Sequence, residues 1–234
     1  MKERLSWRRA VLKLSGELLG GEKGPLDERG LIFFAQEIRE ARKAGVELAV
    51  VPGGGNIARG AALPHIPQTT GHTIGMLATL INGLALREAL AQAGVPSLLM
   101  SAIPCAGVAE PVDPWRAREA LGEGKVVLLS AGTGNPFVTT DTAAVIRALA
   151  LQAEVVLKGS KVAGVYPDDP KAVPDVQPLP RISHKEYLAR GLRVMDLAAV
   201  SIAGDHGLPI FVFRADRPGG LLSALQGKGG SLIG

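Results

Sequence analysis

The sequence predicts an α/β fold, an open αβα sandwich built on a mostly parallel central sheet. Short β-branched or Leu-rich runs recur along the chain, stretches of helical period separate them, and the alternation continues almost from end to end. Runs this short and uniformly apolar read as strands buried on both faces, as in a parallel sheet covered by helices. The chain also holds 30 glycines in 234 residues, well above the usual share of about 7%. No Gly-X-Y period or low-complexity tract accounts for the surplus, so the glycines serve particular turns.

Taken in order, the expected strands are AVLKLS (10–15), ELAVVP (47–52), SLLMSA (97–102), VVLLSA (126–131), EVVLKG (154–159) and IFVF (210–213). Helical patterns fill 28–44, 72–93, 114–123, 139–150, 183–190 and 196–206. Several close on glycine, at Gly45, Gly94, Gly124 and Gly207, where left-handed backbone ends a helix without a Cβ penalty. Residues 167–180 carry five prolines and little periodicity, which reads as a long surface loop able to cover a nucleotide. One domain over 1–234 is expected, with ligands at the carboxyl ends of the strands.

Composition excludes several classes. A single cysteine, Cys105, rules out an intrachain disulfide framework and a Cys-based zinc cluster, and its apolar surroundings suggest packing. The basic N-terminus lacks a signal-peptide core because Lys13 interrupts its apolar stretch. No window holds 18 or so uninterrupted apolar residues, so a cytoplasmic protein outside the membrane is expected. The formal charge is +4, but Lys2, Arg4, Arg8 and Arg9 against Glu3 already supply +3 of it. No basic groove with interleaved aromatics remains to suggest nucleic-acid binding.

Four strand-to-loop segments carry chemistry. VLKLSGE (11–17) places Lys13 in an apolar strand directly before Ser15 and Gly16, as a lysine aimed at an oxyanion or one snorkelling to water. VPGGGNIARG (51–60) offers consecutive glycines for close backbone approach and the donor fork of Arg59. A loose dinucleotide pattern also fits there, but no acid occurs between Leu48 and Arg87 to hold a ribose. SAGTGNPFVTTDTAA (130–144) runs a strand into a helix capped by Thr139 or Thr140, with Asp141 in its first turn. LKGSKVAGVYPDDP (157–170) offers Lys158 and Lys161 to phosphates and Tyr166 to a base. No Walker A motif occurs, so phosphate handling requires another fold.

These segments, with IGMLATLINGLALREAL, LLMSAIP, VMDLAAVSIAGDHGLPI and the closing GGSLIG, resemble the amino acid kinase superfamily. Within it they are most similar to the bacterial uridylate (UMP) kinases, which phosphorylate UMP to UDP with ATP in pyrimidine nucleotide biosynthesis. The resemblance implies an acceptor-binding half over about 1–150 and an ATP-binding half over about 151–234. It implies ATP binding by Lys13, Ser15, Gly16, Gly55, Arg59, Ser160, Lys161, Tyr166 and Asp169. UMP would meet Gly54, His72, Thr133, Gly134, Asn135, Pro136, Phe137, Val138, Thr139 and Thr140. Lys13, Arg59, Asp141 and Lys161 would be catalytic, with Mg²⁺ carried on the ATP phosphates and no metal held by side chains.

Similar enzymes are ring-shaped hexamers regulated by GTP and UTP, so a homo-oligomer is implied, with 28–44 and 72–93 as contact surfaces. The chain departs from the family pattern at three places. His72 stands where an aspartate usually meets the acceptor nucleotide, Ala58 replaces an aromatic and Ala163 an aspartate. Two alternatives follow from them: the same phosphotransfer with another acceptor, or a nucleotide- or oxoanion-binding relative without turnover.

Overall fold

The computed structural model describes residues 5–21, 24–58, 65–168, 173 and 175–234. All six expected strands form: β1 (Arg9–Leu14), β2 (Glu47–Pro52), β3 (Ser97–Ser101), β5 (Val126–Ser130), β6 (Val155–Ser160) and β8 (Ile210–Arg214). So do the six helices: α1 (Glu28–Lys43), α2 (Gln68–Gln92), α3 (Pro114–Gly122), α4 (Thr140–Leu151), α5 (His184–Ala189) and α6 (Leu197–Asp205). Among the described residues, five short elements come in addition: a 3-10 helix (Gly16–Leu18), β4 (Glu110–Pro111), β7 (Arg181–Ile182), α7 (Gly220–Leu225) and β9 (Gly230–Ile233). Two-residue strands have no period to detect, and β9 lies in a glycine-rich stretch of low strand propensity.

The strands join one sheet in the order β4-β3-β5-β2-β1-β6-β8-β9-β7. Neighbours are parallel except β8 and β9, which pair antiparallel. Local chemistry sets the helix ends. Asp27, Asp113, Thr139 and Ser183 each accept a backbone N–H at an N-terminus. Gly45, Gly94, Gly124 and Gly207 all have positive φ, between 63° and 94°.

Alternation along each strand divides the core between the two faces. Ala10, Leu12, Leu14, Leu48, Val50 and Leu157 pack toward α1, α2 and α7. Val11, Ala49, Val51, Val127 and Val156 pack toward α3, α4, α5 and α6. Each fully buried Leu or Val contributes roughly 1.5–3 kcal/mol. A one-residue slip would reverse every side chain of a strand, so this burial fixes the register.

By the same parity Lys13 and Lys158 fall on the α4 face, directly opposite each other in the β1–β6 pairing. Cys105 is partly buried against the α1 and α2 side of the core. α2, at 25 residues, is long and apolar enough by composition to cross a membrane. In this fold it packs on the sheet, burying Met76, Thr79, Leu80, Asn82, Leu86 and Leu90.

Candidate active site

Parallel pairing decides the centre of the site. Two ammonium groups side by side on neighbouring strands repel, and both are removed from water. Asp141 resolves this from the first turn of α4. Lys13 Nζ lies 3.0 Å from its Oδ1, and Lys158 Nζ donates to Oδ1 and Oδ2 at 2.5 and 2.6 Å. All three side chains belong to residues that are at most 8% exposed. Burial pushes the Asp141 carboxyl up, but Lys13 and Lys158 outweigh it and hold the group below its ordinary value. Burial and the charge of Lys13 pull the Lys158 ammonium down to about 8, against the opposing pull of Asp141. The cluster keeps one positive charge in excess, which suits an anion.

A second layer aims Asp141. The Asp196 backbone N–H donates to its Oδ2 at 3.2 Å. The Asp196 carboxylate accepts from the Thr139 and Thr142 hydroxyls at 2.8 and 2.9 Å, joining the start of α6 to the start of α4. Buried Tyr187 fixes the preceding residue by donating to Met195 O and accepting from Met195 N–H. Burial raises its phenol to about 12, so it stays protonated.

Two glycine loops close over the ends of β1 and β2. A Cβ on Gly16 would stand 2.9 Å from the Gly55 nitrogen, and one on Gly54 would stand 2.8 Å from the Gly75 oxygen of α2. Only glycine permits both approaches. Fully buried Asn82 of α2 donates to Gly53 O at 2.6 Å and exchanges amide hydrogen bonds with Asn56, holding the second loop in place.

Beside these loops lies a cavity of about 150 Å³ lined by Gly54, Gly55, Ala58, His72, Thr79, Gly132, Val138 and Thr140, among others. Five residues expected at the acceptor or ATP therefore meet in one cavity: Gly54, Gly55, His72, Val138 and Thr140. His72 packs its ring at 4.7 Å and 55° from that of Phe137, which is 60% exposed and has φ 66°. Of the loop before α4, Thr133 Oγ1 accepts from Asn135 N–H, Gly134 has φ 82°, and Pro136 precedes Phe137. Thr139 caps α4.

On the other side, the loop after β6 holds Ser160, whose hydroxyl accepts from Val162 N–H. Tyr166 lines a cleft of about 500 Å³ with Arg190, Leu192 and Val194. Ser15 donates its N–H to Gly159 O at 3.3 Å, bringing the loops after β1 and β6 together. Lys161 is exposed and borders a separate cleft with Glu17, Gly20, Gly21 and Asn56. Arg59 and Asp169 lie outside the described residues.

The lysine that joins Lys13 on Asp141 is thus Lys158. The sequence carries a signal for it, because Val-Leu-Lys-X-Ser occurs twice, at 11–15 and at 156–160. Equal positions in two apolar strands place both lysines on one face once the strands pair in register. Tyr187, Asp196, Asn82 and Thr79 carry no comparable signal.

Among the described residues, no three His, Cys, Asp or Glu side chains group as a metal site. Asp141 is committed to two lysines and an amide. This donor set fits Mg²⁺ arriving on nucleotide phosphates, where phosphate oxygens and water would hold it.

A mostly parallel αβα sandwich with lysines on adjacent strands, an acid between them and glycine loops beside them defines a phosphate-handling enzyme without a P-loop. Residues 8–214 match the amino acid kinase family, and the chain belongs to it. The uridylate kinase of Idiomarina loihiensis is 48% identical over 226 residues, covering 95% of this chain and 92% of that one. That of Shewanella putrefaciens is 47% identical over the same shares. The solved UMP kinase of Bacillus anthracis superposes with a TM-score of 0.93 at 34% identity, covering 97% of this chain and 96% of its own. That of Ureaplasma parvum gives 0.91 at 32%, with 97% and 98% covered.

Proposed function

We propose that this chain is an ATP-dependent UMP kinase, moving the γ-phosphoryl group of ATP onto the UMP phosphate to give UDP for pyrimidine nucleotide synthesis. One observation carries the reading: Lys13 and Lys158 on the central strands β1 and β6, bridged by Asp141 from the first turn of α4, sit between two clefts. The acceptor cavity belongs to the loops after β2 and β5 and to α2, on one side. The Tyr166 cleft follows β6, on the other.

In this reading the half up to about residue 150 holds UMP and the remainder holds ATP. Gly54, His72 and residues 133–140 contact UMP. Ser15, Gly16, Gly55, Ser160, Tyr166 and Asp169 contact ATP, with Tyr166 against the adenine. The acceptor is already an anion at neutral pH, so the reaction needs no strong general base. Its barrier is the repulsion between two phosphates held in line. Lys13 and Lys158 offset the charge on the oxygens that gain it, and Asp141 keeps both lysines aimed in a dry site where such contacts are strongest. Arg59 and Lys161 add cationic donors from the flanking loops. Mg²⁺, bound with ATP, supplies further neutralisation of the phosphates.

α2 exposes Leu77, Ile81 and Leu84, 38–46% accessible and spaced along one face, as a surface for self-association. We assign it to a homo-oligomer, with a hexamer and GTP and UTP effectors carried over from the family resemblance. ATP and UMP are cytoplasmic metabolites, which places the reaction in the cytoplasm.

ADP release coupled to a panel of acceptor nucleotides tests the activity. UMP should exceed CMP, AMP and GMP by about 100-fold or more in kcat/KM. Lys13→Ala should lower kcat with UMP by about 100-fold or more. A preferred acceptor other than UMP, or UDP formation surviving Lys13→Ala within a few-fold, would overturn the assignment.

A further inference from the structure

The loop after β5 follows a costly path. Ala131 and Gly132 are both left-handed, with φ 61° and 58°, although Ala131 has a Cβ that disfavours this region. Two side chains outside the loop hold it. Buried Thr79 of α2 accepts from Ala131 N–H at 2.7 Å while its hydroxyl donates to Met76 O. Arg147 of α4 donates from Nη2 to Gly132 O at 3.0 Å.

Arg147 is placed unlike a surface arginine. It pairs with no carboxylate among the described residues, and its Nε is buried without a partner. Burial lowers its pKa. A half-buried guanidinium with an unpartnered Nε, held by one carbonyl, is a poor stabiliser of a fold. It does, however, control a dipole. Gly132 lines the cavity that also includes Gly54, His72 and Thr140. The Gly132 carbonyl oxygen is engaged by Arg147 of α4, and the arginine, which pairs with no carboxylate among the described residues, adds positive charge behind the loop.

We propose that Arg147 is a positioning residue for the acceptor: it turns the Gly132 carbonyl away from the bound nucleotide phosphate and holds residues 131–134 in the conformation that receives it. It contacts no substrate. The proposal rests on the UMP kinase reading and names a determinant of acceptor affinity within it.

The test is steady-state kinetics of wild type, Arg147→Met and Arg147→Gln, with UMP and ATP varied separately and melting temperatures measured alongside. Arg147→Met should raise the KM for UMP about tenfold or more while the KM for ATP stays within about twofold. Arg147→Gln keeps a neutral donor for the carbonyl and should fall between wild type and Met. A folded Arg147→Met whose UMP KM stays within about twofold overturns the proposal, as does equal weakening of both substrates in step with lost stability. If Arg147→Met does not fold, Arg147→Gln decides: a UMP-only rise of about threefold or more supports the proposal, and none overturns it. A wild type that makes no UDP defeats the underlying reading first, and this assignment with it.

Discussion

Lys158 takes its chemistry from its neighbours on β1 and α4. Its ammonium titrates near 8 because burial and Lys13 disfavour the charge more than Asp141 restores it. Phosphate neutralisation needs the protonated form, so kcat/KM for ATP, which reports the free enzyme, should fall as pH rises through about 8. Bound phosphate favours the ammonium, so the fall in kcat should lie at higher pH. Lys158→Arg should remove the limb from both profiles, because a guanidinium stays charged. Stability moves the opposite way. The folded pKa lies below the ordinary 10.5, so the buried ammonium weighs against the fold below about 8, and that penalty fades as pH rises toward 10.5. Urea midpoints at pH 8 and 10 should therefore show wild type gaining on Lys158→Met, and a constant gap would contradict this origin of the shift.

At the scale of elements, α4 and α6 meet at their N-termini through one carboxylate. Asp196 satisfies the hydroxyls of Thr139 and Thr142 while its own N–H reaches Asp141. Asp196→Ala leaves both hydroxyls without that acceptor and should destabilise by about 2 kcal/mol, a fall in Tm of roughly 4–8 °C for a chain of this size. Calorimetry checks the fall. Activity should drop further than stability explains, because the α6 end that steadies Asp141 loosens. α2 plays a comparable part on the other face of the sheet, where Asn82 and Thr79 hold the glycine loop and the residue after β5.

For the whole molecule, the same α2 that holds those loops from its buried side exposes Leu77, Ile81 and Leu84 on the other. A charge placed in the middle of that stripe should separate subunits while leaving the core intact. Ile81→Glu should reduce the particle mass seen by light scattering to that of a smaller species, with the circular dichroism spectrum unchanged. An unaltered mass would place the contact elsewhere.

The alternation of apolar strands and helices, their capping residues and the clustering of glycine after strands were legible in the sequence because they are local. Burial period, caps and left-handed turns each depend on a few consecutive residues. The same holds for Lys13 and Asp141 as charged groups in apolar or helix-start settings. Only the tertiary structure joined them, since the Lys13 and Lys158 pairing arises from strands 145 residues apart in sequence lying side by side. It also set Lys161 at a separate exposed cleft, tied Asp196 and Tyr187 to the acid, and placed His72 against Phe137. These contacts depend on register and on packing across layers, which no stretch of sequence encodes by itself.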